Sequence, residues 1–194
     1  WIMLPLLILA VVAVYIFIER YLTIQRASRI DRNFMNKIRD MVVNDNIEGA
    51  KQLCKNHDTP VARMVEKGIS GIGRPLKDIS ASIENAGTLE VFKLEKNTAT
   101  LGTISGAAPM IGFLGTVTGM IKAFYQLSVA GNNIDPSMLA GGIYEAMVTT
   151  ATGLAIGIIA YIGYNYLATQ IEKIVYKMEA TTVEFIDILQ EPAE

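Results

Sequence analysis

Cysteine and histidine are nearly absent from this chain of 194 residues, which contains one of each, Cys54 and His57. A single cysteine excludes an internal disulfide framework. The two residues form only a C-x-x-H fragment, whereas a structural metal site needs about four ligands, so we expect neither a metal nor a cofactor. The glycine-rich residues 68–75 lack the Gly-Lys-Ser/Thr ending of a phosphate-binding loop. Because no nucleophile and base pair is evident either, the sequence does not predict an enzyme.

Basic residues are also missing from long parts of the chain. Of the 17 Lys and Arg, 14 fall between Arg20 and Lys96, and only Lys122, Lys173 and Lys177 follow. The net charge of -2 decides nothing about nucleic acid, and we expect no nucleic-acid partner. Hydrophobic residues make up 51% of the chain and its mean hydropathy is +0.33, which is too apolar for an ordinary soluble domain. A membrane protein in contact with lipid is therefore predicted.

Three apolar stretches are long enough to cross about 30 Å of hydrocarbon. We therefore predict an all-α integral membrane protein with three transmembrane helices and long cytoplasmic helical extensions. Its predicted parts are transmembrane helix 1 at 1–18, a cytoplasmic helical domain at 19–96, transmembrane helix 2 at 97–127, a periplasmic hairpin loop at 128–137, transmembrane helix 3 at 138–168 and a cytoplasmic C-terminal helix at 169–194. In the loop, Asp135 is the predicted N-cap of the third helix and Pro136 its first residue.

The orientation follows from the basic residues that come directly after the first apolar stretch, which are Arg20, Arg26, Arg29, Arg32 and Lys37. The hairpin loop has no Lys or Arg. By the positive-inside rule, the N-terminus and the loop face the exterior or periplasm and the bulk of the chain is cytoplasmic. A cleaved signal peptide is disfavoured because its basic residues would precede the apolar run. Since the chain opens on tryptophan rather than methionine, we expect further residues before it.

The cytoplasmic region is predicted to be helical, because no segment alternates with a period of two. Asp45 with Glu48 forms a predicted capping pair for a helix at 47–55. Thr59, followed by proline, predicts the start of a helix at 61–69.

Two further helical patterns lead into and out of the membrane segments. From Leu76 onward, apolar residues at 79, 83, 86 and 94 keep a helical register, which predicts a helix that continues into the second transmembrane stretch and extends well below the membrane. The C-terminal tail is amphipathic and is expected to pack on a partner helix; its apolar residues are Ile171, Ile174, Val175, Met178 and Phe185.

Glu145 lies within the third apolar stretch, which contains no basic residue. A charged side chain near the bilayer centre costs about 2.5 to 3.5 kcal/mol, so such groups usually have a function. Removal from water favours the protonated form of a carboxyl group, which makes proton exchange near neutral pH plausible. On an ideal helix Thr149 and Thr152 share the face of Glu145, whereas Thr150 lies about 140° away. Helical geometry therefore predicts Thr149 as the neighbour of Glu145.

The second stretch contains Pro109 and several glycines. Proline lacks an N–H and clashes with the carbonyl of the residue four positions earlier, here Ser105, so we predict a hinge where the helix bends or opens. The freed carbonyl could then hydrate a pore. Gly112 and Gly115 permit close approach of helices and are candidate pore-lining positions together with Thr152. Lys122 is expected to extend to the membrane interface and receives no chemical role.

Three segments carry a resemblance to a known family: 108–120 (APMIGFLGTVTGM), 142–146 (GIYEA) and 150–154 (TATGL). They resemble the MotA/TolQ/ExbB proton-channel family, and the layout with three spans and one large cytoplasmic insertion is most similar to its ExbB and TolQ branch. The resemblance implies a bacterial inner-membrane protein that forms a homopentameric ring around two helices of a single-span ExbD- or TolR-like partner with a membrane aspartate.

The same resemblance implies that Glu145, Thr116 and Thr150 line a proton-linked cavity. It also implies work on a TonB- or TolA-like protein, so that the proton motive force drives an outer-membrane process. Helical geometry points to Thr149 and the resemblance to Thr150, so the neighbour of Glu145 stays open. Two other functions remain: an ion channel or secondary transporter with Glu145 as its ion site, and a structural membrane scaffold.

Overall fold

The computed structural model describes residues 1–29, 31, 33–129 and 136–190. The elements found there are the helices α1 (Met3–Ala27), α2 (Phe34–Val43), α3 (Ile47–Asn56), α4 (Pro60–Ile69), α5 (Leu76–Glu95), α6 (Thr98–Val129) and α7 (Pro136–Gln190). Three helical stretches among the described residues are long and apolar enough to cross a membrane, and they lie within Met3–Ala27, Leu76–Val129 and Leu139–Gln190. The predicted all-α fold with three such helices is confirmed to this extent.

The loop between α6 and α7 bears on two predictions. Residues 130–135 of the predicted hairpin, including the predicted N-cap Asp135, lie outside the described residues. Pro136 is the first residue of α7, as predicted.

Two compact units divide the described chain. The first unit consists of residues 1–19 and 97–166, and the second consists of residues 20–96 with those after 166. In the first unit, α1 buries a narrow stripe of Leu6, Ala13 and Ile16, whose spacings of seven and three place them on one helix face. Helices of this unit come into close contact at glycines, because a glycine leaves room for a side chain of another helix to reach the backbone.

In the second unit, local capping sets the starts of the short helices. The Thr59 hydroxyl accepts a hydrogen bond from the Ala62 N–H (3.3 Å) at the start of α4, as predicted. The predicted Asp45 cap of α3 is wrong, because Asp45 has a left-handed φ of 55° and belongs to the turn after α2. Asn46 caps α3 instead, with its Oδ1 accepting from the Gly49 N–H (3.0 Å), and asparagine is as good an N-cap as aspartate.

The C-terminal part of α7 packs on α4 and α5 within the second unit. Phe185 is fully buried and lies against Gly68, where a Cβ would come within 2.5 Å of the Phe185 ring. Met178 and Met64 both lie near Gly87. The predicted packing of the amphipathic tail on a partner helix is therefore confirmed, and the partner helices belong to the same chain.

The predicted continuous helix from Leu76 into the second apolar stretch is wrong. Helix α5 ends at Glu95, Asn97 has a left-handed φ of 64°, and α6 begins at Thr98. The Asn97 carbonyl accepts hydrogen bonds from the N–H groups of Thr100 (3.2 Å) and Leu101 (3.4 Å), so a new helix starts there. Asparagine tolerates the left-handed conformation better than most residues, and apolar periodicity does not detect such a break.

A buried ion cluster joins α4 and α5 in the second unit. Glu90 is only 5% exposed, and its carboxylate accepts from Arg63 Nη2 (2.6 Å) and Lys93 Nζ (2.7 Å). Burial alone would raise the pKa of Glu90, but the hydrogen bonds and charges of Arg63 and Lys93 outweigh it and hold the pKa below its ordinary value. The Arg20 guanidinium donates to the Lys93 carbonyl (3.2 Å), which fixes α1 to α5 in this unit.

Cys54 and His57 both take part in packing near the end of α3. Cys54 is 2% exposed, and burial raises the pKa of its thiol to about 12. The His57 ring contacts the Leu53 carbonyl through Nδ1 (2.9 Å), and its centroid lies 5.3 Å from that of Phe34. The described residues contain no group of three or more His, Cys, Asp or Glu placed to hold a metal ion.

Candidate functional site

Helices α6 and α7 meet along a seam of small residues in the first unit. A Cβ on Gly112 would lie 3.0 Å from the Thr149 carbonyl oxygen, and a Cβ on Gly153 would lie 2.6 Å from that of Ala108. Further along, Gly119 packs on Ala146, and the methyl group of Ala123 packs on Gly142. Backbones approach this closely only where side chains are minimal, so the glycines fix which faces of the two helices meet.

Pro109 lies within α6, which continues through it as one helix. Its ring packs on Gly157 of α7, where a Cβ would come within 2.5 Å of Pro109 Cγ and 3.0 Å of the Ser105 carbonyl oxygen. The helix is uninterrupted at Pro109, and the Ser105 carbonyl lies near Gly157 of α7. Bending or opening of the helix at Pro109 stays a prediction.

Thr116 and Thr150 face each other across the seam. Their hydroxyl groups are in hydrogen-bonding contact, Thr150 Oγ1 donates to the Gly112 carbonyl (2.9 Å), and Thr116 Oγ1 lies 3.4 Å from the Ala146 carbonyl. Either hydroxyl group can be the donor within the pair. The result is a short chain of hydroxyl groups that crosses from one helix to the other.

Glu145 lies on a different face of α7 and lines an open cavity of about 560 Å³. Glu145 is exposed within the single subunit. The residues around the cavity are Gly115, Thr118, Gly119 and Lys122 of α6, Tyr144, Glu145, Val148 and Thr149 of α7, and Trp1, Ile2 and Met3 at the start of the chain. The cavity is thus a mixed polar and apolar space beside the one carboxylate in the described part of the third apolar stretch.

The two threonines that follow Glu145 have separate environments. Thr149 lines the Glu145 cavity, is 7% exposed, and donates to the Ala146 carbonyl (2.8 Å). Its side chain occupies the space that a Cβ on Gly115 would fill. Thr150 is not among the cavity residues and contacts Thr116 instead. Helical geometry placed Thr149 beside Glu145, and Thr149 lines the same cavity, whereas Thr150, which the family resemblance placed there, lies in the seam. The roles of both threonines stay predictions.

The remaining predicted residues are Gly112, Gly115 and Thr152. Gly115 lines the cavity, and Gly112 lies in the seam. Thr152 donates to the Val148 carbonyl (2.8 Å) and is not a cavity residue, although it was predicted to share the face of Glu145. Its side chain is one turn beyond the residues that enclose the cavity.

Lys122, Thr118 and Tyr144 line the cavity although sequence analysis assigned them no role there. For Lys122 a signal existed, because it is the one Lys or Arg between Lys96 and Lys173. Nothing in the pattern around Thr118 or Tyr144 distinguishes them from the other hydroxyl-bearing residues of these helices.

Comparison with known proteins gives a consistent set of relatives. Residues 56–180 match the MotA/TolQ/ExbB proton channel family. A protein of Methanothermobacter thermautotrophicus, described as a biopolymer transport protein ExbB homologue, is 29% identical over 177 residues, which cover 89% of this chain and 62% of the relative. The Tol-Pal system protein TolQ of Haemophilus influenzae is 29% identical over 161 residues, covering 82% and 70%. The biopolymer transport protein ExbB of Neisseria meningitidis is 23% identical over 177 residues, covering 84% and 78%.

The chain spans 62% of the length of the first of these relatives and 70% of the second. The match to the family covers well over half of the chain and includes α4, α5, α6 and most of α7, so it contains both the seam and Glu145. The chain belongs to the MotA/TolQ/ExbB proton channel family.

Proposed function

We propose that this chain is the proton-conducting subunit of an inner-membrane complex that converts proton motive force into mechanical work. The observation that carries the proposal is Glu145, a carboxylate on an apolar helix that lines an open cavity. The adjacent seam supplies a chain of hydroxyl groups through Thr116 and Thr150. A proton pathway requires a carboxyl group that can exchange a proton and hydroxyl groups that can accept and donate hydrogen bonds. In this chain the hydroxyl groups of Thr118 and Thr149 line the cavity of Glu145, and those of Thr116 and Thr150 lie in the seam on another face of α7.

The work is supplied by charge movement and needs no covalent catalysis by this chain. One elementary charge that crosses 100 mV releases about 2.3 kcal/mol, so a few protons release enough to reorient a packed helix. The process driven is proposed to be an energy-dependent outer-membrane process of the TonB or Tol-Pal type; relatives are named as a biopolymer transport protein and as a Tol-Pal system protein.

The complex is proposed to contain five copies of this chain around two helices of an ExbD- or TolR-like single-span partner whose membrane aspartate faces the pathway. A TonB- or TolA-like protein receives the work. The topology has the N-terminus and the loop at 128–137 in the periplasm and residues 19–96 in the cytoplasm. This arrangement is supported by membership of the family and by the distribution of basic residues. Native mass spectrometry of the complex, purified with untagged neighbours, gives the number of each subunit.

The test of proton conduction is Glu145→Gln in the reconstituted complex with its single-span partner. We expect proton flux into vesicles under an imposed potential, and energised work in cells, to be abolished while the complex still assembles. Glu172→Gln is the matched control, because it makes the same chemical change on an exposed residue of the same helix outside the apolar stretch. Full flux in Glu145→Gln would overturn the proposal.

Two alternative functions predict different results in the same assay. A channel or secondary transporter with Glu145 as its ion site would carry an ion or solute in vesicles that contain this chain alone. A structural scaffold would retain its cellular function in both Glu145→Gln and Thr116→Val. The proposed motor subunit requires the partner and loses function in Glu145→Gln.

A further inference from the structure

The tryptophan and the tyrosines of the first unit fall into two groups at opposite ends of its helices. The first belt is defined as Trp1, Tyr125 and Tyr144, and the second belt as Tyr15, Tyr161, Tyr164 and Tyr166. All of them are exposed except the half-buried Tyr164. Tyrosine and tryptophan are enriched at the two interfaces of a bilayer, because their rings have an apolar body and a polar tip. The two belts therefore point to a lipid partner.

Contacts between helices bring the first belt to one end of the unit. Helices α6 and α7 run antiparallel, and Gly119 lies against Ala146. Tyr125 is about 9 Å beyond Gly119 along α6, and Tyr144 is about 3 Å beyond Ala146 along α7 in the same direction. Trp1 lines the same cavity as Tyr144. The three side chains thus leave three different helical segments near one level.

The second belt lies at the opposite end. A Cβ on Gly163 would come within 3.0 Å of the Phe17 ring. Tyr15 and Tyr161 each precede one of these contact residues by two positions. Because α1 and α7 both run from the cavity toward this end, the two tyrosines lie at one level, and the other members of the belt follow within about 8 Å on α7.

The spacing of the belts matches the hydrocarbon thickness of a bilayer. Along α7, Tyr161 and Tyr166 lie about 26 Å and about 33 Å from Tyr144, and these values bracket the hydrocarbon thickness of about 30 Å. Large apolar side chains are exposed between the belts, among them Phe113, Leu114, Ile158 and Ile159. The surface between the belts therefore suits acyl chains both in length and in composition.

Glu145 lies beside the first belt, at the edge of a zone without charge. Residues 97–121 and 146–166 contain no charged side chain, and Lys122 and Glu145 are the first charged residues beyond them at this end. Glu145 directly follows Tyr144, so it differs from that belt residue in level by about 1.5 Å. The middle of the zone between the belts is about 13 Å away.

We propose that the two belts hold the first unit at the two interfaces of a lipid bilayer, with Glu145 at one interface rather than at the bilayer centre. Head groups contact the rings of the belts, and acyl chains contact the apolar side chains between them. The contact of Thr116 with Thr150 lies about 6 to 8 Å deeper, within the hydrocarbon. This inference rests on the proposed function, whose topology places the Glu145 end at the exterior, so a proton from the exterior reaches Glu145 without crossing hydrocarbon.

The experiment measures the depth of single tryptophans by fluorescence quenching with brominated phospholipids. The full chain is reconstituted alone as Tyr144→Trp in a Trp1→Phe background, in vesicles whose lipids carry bromine either near the head groups or near the ends of the acyl chains. Bromine near the head groups should quench this tryptophan more strongly. Tyr161→Trp in the same background should give the same result for the second belt.

The matched control is Leu154→Trp, because Leu154 is exposed on α7 between the belts. Its tryptophan should be quenched more strongly by bromine near the chain ends, at a depth that differs from that of Tyr144→Trp by about 15 Å. If Tyr144→Trp does not fold, Tyr125→Trp tests the same belt from α6. A tryptophan in the first belt that lies as deep as that of Leu154→Trp, or that neither lipid quenches, overturns the inference.

Failure of this inference differs from failure of the proposed function. If Glu145→Gln abolishes flux while Tyr144→Trp lies near the bilayer centre, Glu145 carries the proton from within the hydrocarbon and only its proposed depth is wrong. If Tyr144→Trp lies at the interface while Glu145→Gln conducts fully, the position in the membrane stands and the proposed function fails.

Discussion

The hydroxyl groups of Thr116 on α6 and Thr150 on α7 are in hydrogen-bonding contact across a glycine seam. The contact depends on Gly112 and Gly153, because a Cβ at either position would overlap the facing backbone. Thr150 Oγ1 donates a hydrogen bond to the Gly112 carbonyl (2.9 Å), which belongs to the opposite helix. The hydrogen bonds of the pair therefore depend on the close packing of α6 and α7 at these glycines.

Replacing Thr150 with valine should lower proton flux through the reconstituted complex by about tenfold or more, the effect of about 1.4 kcal/mol on a barrier, because it removes the hydroxyl group that contacts Thr116 and donates to the Gly112 carbonyl. Each lost hydrogen bond is worth about 0.5 to 1.5 kcal/mol, so a modest fall in thermal stability should accompany the change. Thr150→Ser is the matched control, since it keeps the hydroxyl group and should conduct nearly as well as wild type. Equal flux in the valine and serine variants would show that the hydroxyl chain has no part in conduction.

Gly153→Ala should destabilise the subunit by about 1 to 3 kcal/mol, the usual cost of overpacking. The added methyl group would lie 2.6 Å from the Ala108 carbonyl oxygen, so α6 and α7 must separate. Gly106→Ala is the control, because a Cβ at Gly106 meets nothing within 4 Å in the subunit. Thermal unfolding in detergent should therefore distinguish the two variants; a Gly153→Ala subunit as stable as Gly106→Ala would contradict the observed seam.

The positions of the seam residues could be predicted only in part from the sequence. The glycines of α6 indicated a closely packed face, but α6 is apolar around most of its circumference, so hydrophobic periodicity does not fix its rotation. Glu145 and Thr149 were placed together because a single helix determines their relation. The contact of Thr116 with Thr150 joins two helices, so the pattern of neither helix predicts it, and the family resemblance implied only that both residues line a cavity with Glu145.

The break at Asn97 shows a second limit. Apolar spacing on both sides of it is helical, and the local signal is one asparagine whose left-handed φ of 64° depends on the hydrogen bonds that start α6. In the same way, the choice of Asn46 over Asp45 as the cap of α3 depends on which residue the preceding turn places in a left-handed conformation. Asparagine and aspartate both serve as N-caps and both tolerate the left-handed conformation. The sequence alone therefore does not decide whether Asp45 or Asn46 caps α3.

The ion cluster around Glu90 predicts a loss of stability in acid. Because the folded-state pKa of Glu90 lies below its ordinary value of 4.5, the ionised carboxylate stabilises the fold fully above about that pH, and this contribution is lost as the pH falls through the folded-state pKa. Glu90→Gln should cost about 1 to 2 kcal/mol at neutral pH, since its partners Arg63 and Lys93 are partly exposed and screened by solvent.

Thermal unfolding followed by helical circular dichroism from neutral to acid pH tests this. The difference between wild type and Glu90→Gln should shrink as the pH falls. Glu84→Gln, on the exposed side of α5, is the control and should follow wild type. A difference that stays constant with pH would mean that Glu90 acts through its shape rather than its charge.

Cys54 should resist alkylation while the chain is folded. Burial raises the pKa of its thiol from 9.0 to about 12, and the thiolate is the reactive form. At a pH below both values the thiolate population is therefore about a thousandfold smaller than that of an ordinary cysteine, and access to the 2% exposed sulfur is limited as well. Reaction with a maleimide, followed by mass spectrometry, should be complete only after unfolding.

The control places a thiol one residue further along in the same helix, as Lys55→Cys in a Cys54→Ser background, where the side chain is exposed. This variant should react at the rate of a free thiol without denaturant. If native Cys54 reacts equally fast, then α3 opens readily from the packed second unit, and the buried position of Cys54 does not describe the protein in solution. Slow labelling of Cys54 beside fast labelling at position 55 would instead report the stability of α3 in its packed position.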